Sequence, residues 1–276
     1  MAPAPASSSP SAAWLAIARF TVCVLFLSFI LSLLALPWVN LPWWRIARRC
    51  VSIAAVLSLW VCLRRFEHRP LRCYGFAATG GAGKRQFALG LLLGVGACAA
   101  ILALGFLCRV YRIDVVSDRL RLWRVMVTFA PAAVLIGFIE EIVFRGFLLQ
   151  HLLAWSTRAA VALTSLAYAA VHVKTLGWSL STGLELAGLA LLCALLALSY
   201  LRTGQLYLAI GLHAALAYGV RVGKLFIDYP EPPAAWLFGT SRVINGVVSW
   251  MVLLGISGLV LLWNAQRSVQ GGTRHG

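Results

Sequence analysis

The sequence contains few charged residues. Only 12% of its 276 residues are Asp, Glu, Lys or Arg, whereas about 25% is usual in globular proteins. Hydrophobic residues make up 61% of the chain, which is more apolar surface than a water-soluble fold can bury. The composition therefore excludes a soluble domain. Since one span needs about 20 residues, it predicts an all-α fold, a multi-pass transmembrane helical bundle of about eight helices.

Acidic residues are the scarcest charged class. The chain has 8 of them against 24 Lys and Arg, a formal net charge of +16. In a soluble protein this balance would indicate nucleic-acid binding. Here the basic residues cluster at the ends of apolar runs, where they meet lipid headgroups. The expected partner is therefore the lipid bilayer, with no nucleic acid, and the expected location is the cell (cytoplasmic) membrane.

Several common site motifs are missing. The seven cysteines include no C-x-x-C pair, so they indicate neither a disulfide framework nor a zinc ribbon. No H-E-x-x-H sequence is present, which excludes the usual zinc-peptidase helix. The string GGAGKR at residues 80–85 resembles a phosphate loop, but Arg85 follows its lysine where Ser or Thr is required, and Ala78 stands at the first glycine position.

The chain divides into one domain and two tails. An Ala/Pro/Ser-rich segment at 1–13 is expected to be disordered, 14–264 to form a single transmembrane domain, and 265–276 to be a tail. A basic segment, 64–85, and a proline-containing segment, 228–242, are expected to be loops. The expected spans are 15–36, 46–63, 87–107, 125–149, 159–173, 184–201, 206–220 and 243–263.

The fourth span carries three charged side chains. A charge at mid-membrane costs about 2.5–3.5 kcal/mol on insertion scales, so Glu140, Glu141 and Arg145 require compensation. Residues four apart share a helix face, and Glu141 is therefore expected to pair with Arg145. Glu140 is rotated about 100° from Glu141 and needs a partner on another helix. Pro131 and Gly137 precede these residues and are expected to loosen the helix.

Two histidines lie inside other spans, His172 in the fifth and His213 in the seventh. If they converge on Glu140, the three side chains form a site that activates water. The same three residues would also suit a metal site, such as zinc, with one open position. A purely structural ion-pair cluster explains Glu141 and Arg145 but leaves Glu140 without a role. The cofactor remains open at this point.

The order of these residues resembles a known family. Glu140–Gly146 (EEIVFRG) looks like the E-E-x-x-x-R first motif of the CPBP intramembrane proteases, which include the CAAX proteases and bacteriocin-processing enzymes. Tyr168-x-x-x-His172 resembles their F-x-x-x-H second motif. His213 resembles the histidine of the third motif, H-x-x-x-N. The resemblance covers about 122–220.

The resemblance implies hydrolysis of a peptide bond in a membrane-associated peptide or protein substrate, by a CAAX-protease-like intramembrane endopeptidase. In the family, the residue matching Glu140 deprotonates a water molecule with help from the one matching His172. The residue matching His213 and a following Asn hydrogen-bond the oxyanion, and the pair matching Glu141 and Arg145 is supportive.

One position departs from the motif. Ala217 stands where the family has the Asn of its third motif, and loss of one oxyanion donor typically costs about 10²–10³ in turnover. Tyr168, one turn before His172, is the candidate substitute donor.

Two other functions remain as alternatives. Ala217 is compatible with a catalytically silent membrane partner or immunity protein that keeps the fold. Intramembrane Glu and His residues also relay protons in proton-coupled transporters. Transporters of that kind often contain two related halves, and this sequence has no internal repeat.

Overall fold

The computed structural model describes residues 9–77, 81–172, 179–228, 235–239 and 245–271. These residues form an all-α helical bundle, which confirms the predicted fold class. Its α-helices are α1 (Pro10–Ala35), α2 (Trp43–Cys62), α3 (Gly81–Leu107), α4 (Arg119–Glu141), α5 (Thr157–Val171), α6 (Leu180–Thr203), α7 (Tyr207–Gly223), α8 (Ala235–Phe238) and α9 (Val247–Gly271).

Irregular elements extend two of these helices. Helix α2 continues as a π-helix, Leu63–Glu67, and a 3₁₀ turn follows at Leu71–Tyr74. Helix α4 continues as a π-helix, Ile142–Leu149, and one last α turn, Gln150–Leu152. Two short antiparallel strands, β1 (Arg112–Ile113) and β2 (Ile227–Asp228), join the segments that follow α3 and α7.

Five of the described helices are long and apolar enough to cross a membrane. Helices α5 and the 247–262 part of α9 are shorter apolar helices. Helix α7 packs mainly against α3 and α4, and most of its first ten residues are buried. Because its neighbours surround it, α7 forms the centre of the bundle, and its residues are positioned by protein contacts more than by lipid.

Helix boundaries differ from the expected spans at several ends. Helix α1 begins at Pro10, where the Ser9 hydroxyl caps the backbone N–H of Ala12 and proline suits the first turn. Helix α3 begins at Gly81, so most of the GGAGKR string is helical although we predicted a loop. The ring of Tyr207 lies against Gly83, in the part of this helix that precedes its apolar stretch.

Parts of four predicted segments lie outside the described residues. These are residues 1–8 of the N-terminal tail, 272–276 of the C-terminal tail, 78–80 of the basic segment, and 229–234 and 240–242 of the proline-containing segment. Helix α8 lies between the last two.

Glycines let the central helices approach closely, as small residues commonly do in membranes. A Cβ atom on Gly90 of α3 would overlap the backbone of Leu208 in α7, and one on Gly211 of α7 would overlap the carbonyl of Phe87. A Cβ on Gly137 of α4 would lie 3.1 Å from the carbonyl oxygen of Ile210. These close contacts fix α7 against both neighbours, and the Gly137 contact lies one turn before Glu140.

The irregular part of the fourth span is not where we expected it. Helix α4 runs without interruption from Arg119 to Glu141, through both Pro131 and Gly137. The α-helical pattern changes only after Glu141, at the π-helix Ile142–Leu149. Gly137 serves the contact with α7, so it does not loosen the helix. π-Helical turns often occur at functional sites, and this one carries Arg145.

Candidate active site

Three of the predicted site residues meet between α4, α5 and α7. The Glu140 Oε2 atom lies 3.7 Å from Nε2 of His172 and 3.7 Å from Nε2 of His213. Glu140 stands in the last turn of α4, His172 caps the C-terminus of α5, and His213 is in the middle of α7. The structure therefore brings together the acid and the two imidazoles that the sequence places 32 and 41 residues apart.

Each imidazole is held by its Nδ1 atom. Nδ1 of His172 lies 2.7 Å from the carbonyl oxygen of Tyr168, and Nδ1 of His213 lies 2.8 Å from Oε1 of Glu141. A carbonyl and a carboxylate only accept hydrogen bonds, so Nδ1 carries the proton in both rings. Nε2 of each ring is thereby directed to Glu140, which is the usual way in which an outer partner fixes a histidine tautomer.

Glu141 and Arg145 form the ion pair that their spacing predicts. The Arg145 Nη1 atom donates to Oε1 of Glu141 at 2.8 Å, and both side chains are fully buried. Arg145 Nη2 also donates to the carbonyl oxygen of Cys193 in α6, at 3.1 Å. One oxygen of Glu141 thus accepts from both Arg145 and His213. The pair therefore supports the site by holding an imidazole.

Tyr168 lies among these residues on α5. Its ring centroid is 4.3 Å from that of His172 and 6.3 Å from that of His213. The Arg145 guanidinium carbon lies 5.2 Å from the same ring, close enough for a cation–π contact. The tyrosine is buried, and its hydroxyl interacts with Glu140. Tyr168 is therefore near Glu140 and both imidazoles, as expected from its position one turn before His172.

A cavity of about 350 Å³ opens onto the site. One quarter of the Glu140 side chain is exposed there, as is 29% of His172, whereas His213 is nearly buried. The volume is at the small end of the range for ligand pockets. Ala217, the position of the missing Asn, lies in the cavity wall one turn beyond His213. Its methyl group offers no hydrogen-bond donor and leaves room for a substrate.

The three converging residues are also the ones that the metal alternative would use. Over the described ranges of the chain, no group of three or more His, Cys, Asp or Glu residues is arranged to hold a metal ion. The zinc site stays a prediction for measurement of metal content.

Three lining residues were missed by sequence reasoning: Glu185 of α6, Arg221 of α7, and Lys224, which follows α7. Glu185 had a usable signal, because it is one of only 8 acids and lies within an apolar run. Arg221 and Lys224 resemble ordinary basic residues at the end of a span. No sequence pattern distinguishes Arg221 and Lys224 from the basic residues that are expected to contact lipid headgroups.

The fold and the site define the protein as a multi-pass membrane protein with a part-buried acid and two imidazoles at a cavity between helices. Residues 122–218 match the family model described as type II CAAX prenyl endopeptidase Rce1-like. The match confirms the family resemblance, and at the level of the family it indicates a CAAX-protease-like endopeptidase, a hydrolase. The comparison with curated proteins finds no match.

Proposed function

We propose that the protein is an intramembrane endopeptidase in which Glu140 activates a water molecule to hydrolyse a peptide bond. The observation that carries the proposal is the position of the Glu140 carboxylate, 3.7 Å from two imidazole Nε2 atoms at the wall of a cavity between apolar helices. The substrate is a membrane-associated peptide or protein that reaches this cavity from the bilayer. The cell membrane is the proposed location.

The proposed reaction begins with water at the exposed side of Glu140. The carboxylate takes a proton from water while the water oxygen attacks the carbonyl carbon of the peptide bond, which forms a tetrahedral oxyanion. His172, whose Nε2 faces Glu140, positions the water and the proton. When the C–N bond breaks, the proton on Glu140 passes to the leaving amine. The products are a carboxylic acid and an amine, and the Glu140 carboxylate is restored.

The proposed role of His213 is to donate a hydrogen bond to the oxyanion. Its Nδ1 is held by Glu141, so a second proton on Nε2 makes it an imidazolium that a buried carboxylate stabilises. Such preorganised donors are often the largest contribution to catalysis of acyl transfer. Ala217 supplies no second donor. Tyr168 is the proposed replacement, because its hydroxyl is close to Glu140 at the same cavity.

The test is hydrolysis by purified protein reconstituted in lipid nanodiscs. A panel of membrane-inserted and lipid-anchored peptides is incubated in H₂¹⁸O, and mass spectrometry detects the new ends. Incorporation of ¹⁸O into a new carboxyl group identifies hydrolysis. We expect Glu140→Gln to abolish the reaction and to remain folded, and His172→Ala to reduce it strongly. Asp114→Asn is the control, because it removes an exposed carboxylate outside the cavity.

Three outcomes would contradict the proposal. Cleavage by Glu140→Gln at the wild-type rate would exclude Glu140 as the base. A folded wild-type protein that binds peptides and hydrolyses none would favour a catalytically silent partner. Metal content is measured on the same sample, and activity that follows added Zn²⁺ would assign Glu140, His172 and His213 to a metal instead.

A further inference from the structure

The cavity extends away from Glu140 along the antiparallel pair α4 and α7. From His213 its wall on α7 continues through Ala217 and Val220 to Arg221, and Lys224 follows beyond the helix end. On the α4 side it reaches back to Phe129. The middle of this wall is apolar, whereas its far end carries two cations. A peptide bound at Glu140 would therefore pass from an apolar channel to a basic mouth.

Arg221 and Lys224 are three positions apart, which places them on one face. Both are exposed at the mouth, and the Arg221 guanidinium carbon lies 6.0 Å from the Phe129 ring. Partial desolvation of its side chain, and to a lesser extent the nearby Arg221, lower the pKa of Lys224 below its usual range. Within the described part of the chain, neither residue forms an ion pair with a carboxylate. The other acid of the cavity wall, Glu185, stands on α6.

The distance between the two ends matches a short peptide. Arg221 is eight residues beyond His213 and Lys224 is eleven, which corresponds to about 12–17 Å at 1.5 Å per residue. An extended chain advances about 3.3–3.6 Å per residue, so this interval spans about three to five residues.

We infer that Arg221 and Lys224 bind a carboxylate of the substrate peptide, about three to five residues from the bond at Glu140. The inference rests on the proposed function and adds a specificity determinant to it. The carboxylate is either the α-carboxylate of a chain end or the side chain of Asp or Glu. A peptide is favoured over a lipid headgroup because the cations and Glu140 line one continuous cavity. The apolar wall between them fits the intervening side chains.

The first experiment measures binding, so that it does not depend on hydrolysis. The Glu140→Gln protein in nanodiscs of uncharged lipid is titrated with fluorescent peptides that differ only in one group. One series carries a terminal acid or a terminal amide, and another carries Asp or Asn four residues from the candidate bond. We expect the acid to bind about tenfold to a hundredfold more tightly than its neutral partner. The double substitution Arg221→Gln and Lys224→Gln should remove this difference.

The second experiment measures kcat/KM of the otherwise unaltered enzyme on each cleavable pair. The double variant should lower kcat/KM for the acidic peptide, mainly through KM, and leave the neutral peptide unchanged. The single variant Arg221→Lys should keep part of the preference for the acidic peptide, since lysine keeps the positive charge. Arg119→Gln is the matched control, because Arg119 is an exposed cation at the start of α4, on the same side of the bundle and outside the cavity wall.

The outcomes separate the inference from the proposed function. If the wild type hydrolyses nothing but the Glu140→Gln protein still discriminates acid from amide, the function fails and the carboxylate site stands. If Glu140 is essential but acid and amide are treated alike, the carboxylate site fails and the function stands. Equal losses for both peptides would indicate a structural role. A preference that appears only with anionic lipid would assign the two cations to headgroups.

Discussion

His213 Nδ1 and Glu141 Oε1 lie 2.8 Å apart although 72 residues separate them in the chain. The contact joins the second acid of the E-E pair to the imidazole proposed to stabilise the oxyanion. It gives adjacent acids different environments. Glu140 is partly exposed to the cavity, whereas Glu141 is fully buried between Arg145 and His213. The two carboxylates are therefore suited to the separate roles that we propose, Glu140 at the reacting water and Glu141 in the support of the site.

Glu141→Gln should destabilise the protein as well as inactivate it. The amide keeps the shape but leaves the Arg145 guanidinium buried without a counter-charge, which typically costs about 3–5 kcal/mol. The substitution also weakens the hydrogen bond between residue 141 and Nδ1 of His213. We expect a clearly lower Tm in detergent and a large loss of kcat at temperatures where the variant is folded.

Glu140→Gln is the matched control for this prediction, since it makes the same chemical change one residue earlier. Its Tm should stay close to wild type because Glu140 is partly exposed and no buried cation depends on it. Equal thermal stability of the two variants would show that the Glu141 pair contributes little to folding.

Arg145→Ala should damage both folding and activity, and Arg145→Lys should recover only part of each. Alanine leaves Glu141 buried and unpaired, at a cost of about 3–5 kcal/mol. Lysine restores a charge, but its single ammonium cannot reproduce the planar guanidinium, which donates to both Glu141 and the Cys193 carbonyl. The measurements are Tm and peptide hydrolysis. Full recovery by lysine would mean that charge alone matters here.

The sequence predicted the local part of this site well. The Glu141–Arg145 pair follows from helical periodicity alone. The cost of burying charge singled out Glu140, and the family motifs connected it with His172 and His213. The ion pair, Glu140 and the two histidines could be predicted because each depends on a pattern within one helix or one motif.

The missed features depend on how helices cross. The contact between Glu141 and His213 requires the close approach of α4 and α7 at Gly137, which no local pattern encodes. The π-helix after Glu141 likewise has no clear sequence signature, although we expected an irregularity nearby. Arg221 enters the cavity wall only because α7 lies antiparallel to α4. Tertiary packing decides these features.

Tyr168→Phe tests the candidate for the second oxyanion donor. Phenylalanine keeps the ring that packs on His172 and under Arg145, and it removes only the hydroxyl. We expect kcat to fall about 10²–10³-fold, as for the loss of one oxyanion donor, with little change in Tm. Turnover at the wild-type rate would exclude this role. Tyr218→Phe, which removes a hydroxyl that donates to the Met126 carbonyl outside the cavity wall, should be neutral for kcat.

The close packing of α3 and α7 gives a prediction about stability. Gly90→Ala places a methyl group against the backbone of Leu208 and 2.8 Å from the nitrogen of Leu212. Backbone atoms cannot rotate away, so the helices must separate, and overpacking of this kind typically costs about 1–3 kcal/mol. Gly96→Ala is the matched control on the same helix, because its Cβ would meet no atom within 4 Å.

Alanine at position 96 should be neutral or slightly stabilising, since it is the better helix former. Tm values of the two variants in one detergent give the comparison, and equal values would show that α3 and α7 are not in the close contact described. Because His213 lies on α7, any shift of that helix should also reduce the activity of Gly90→Ala.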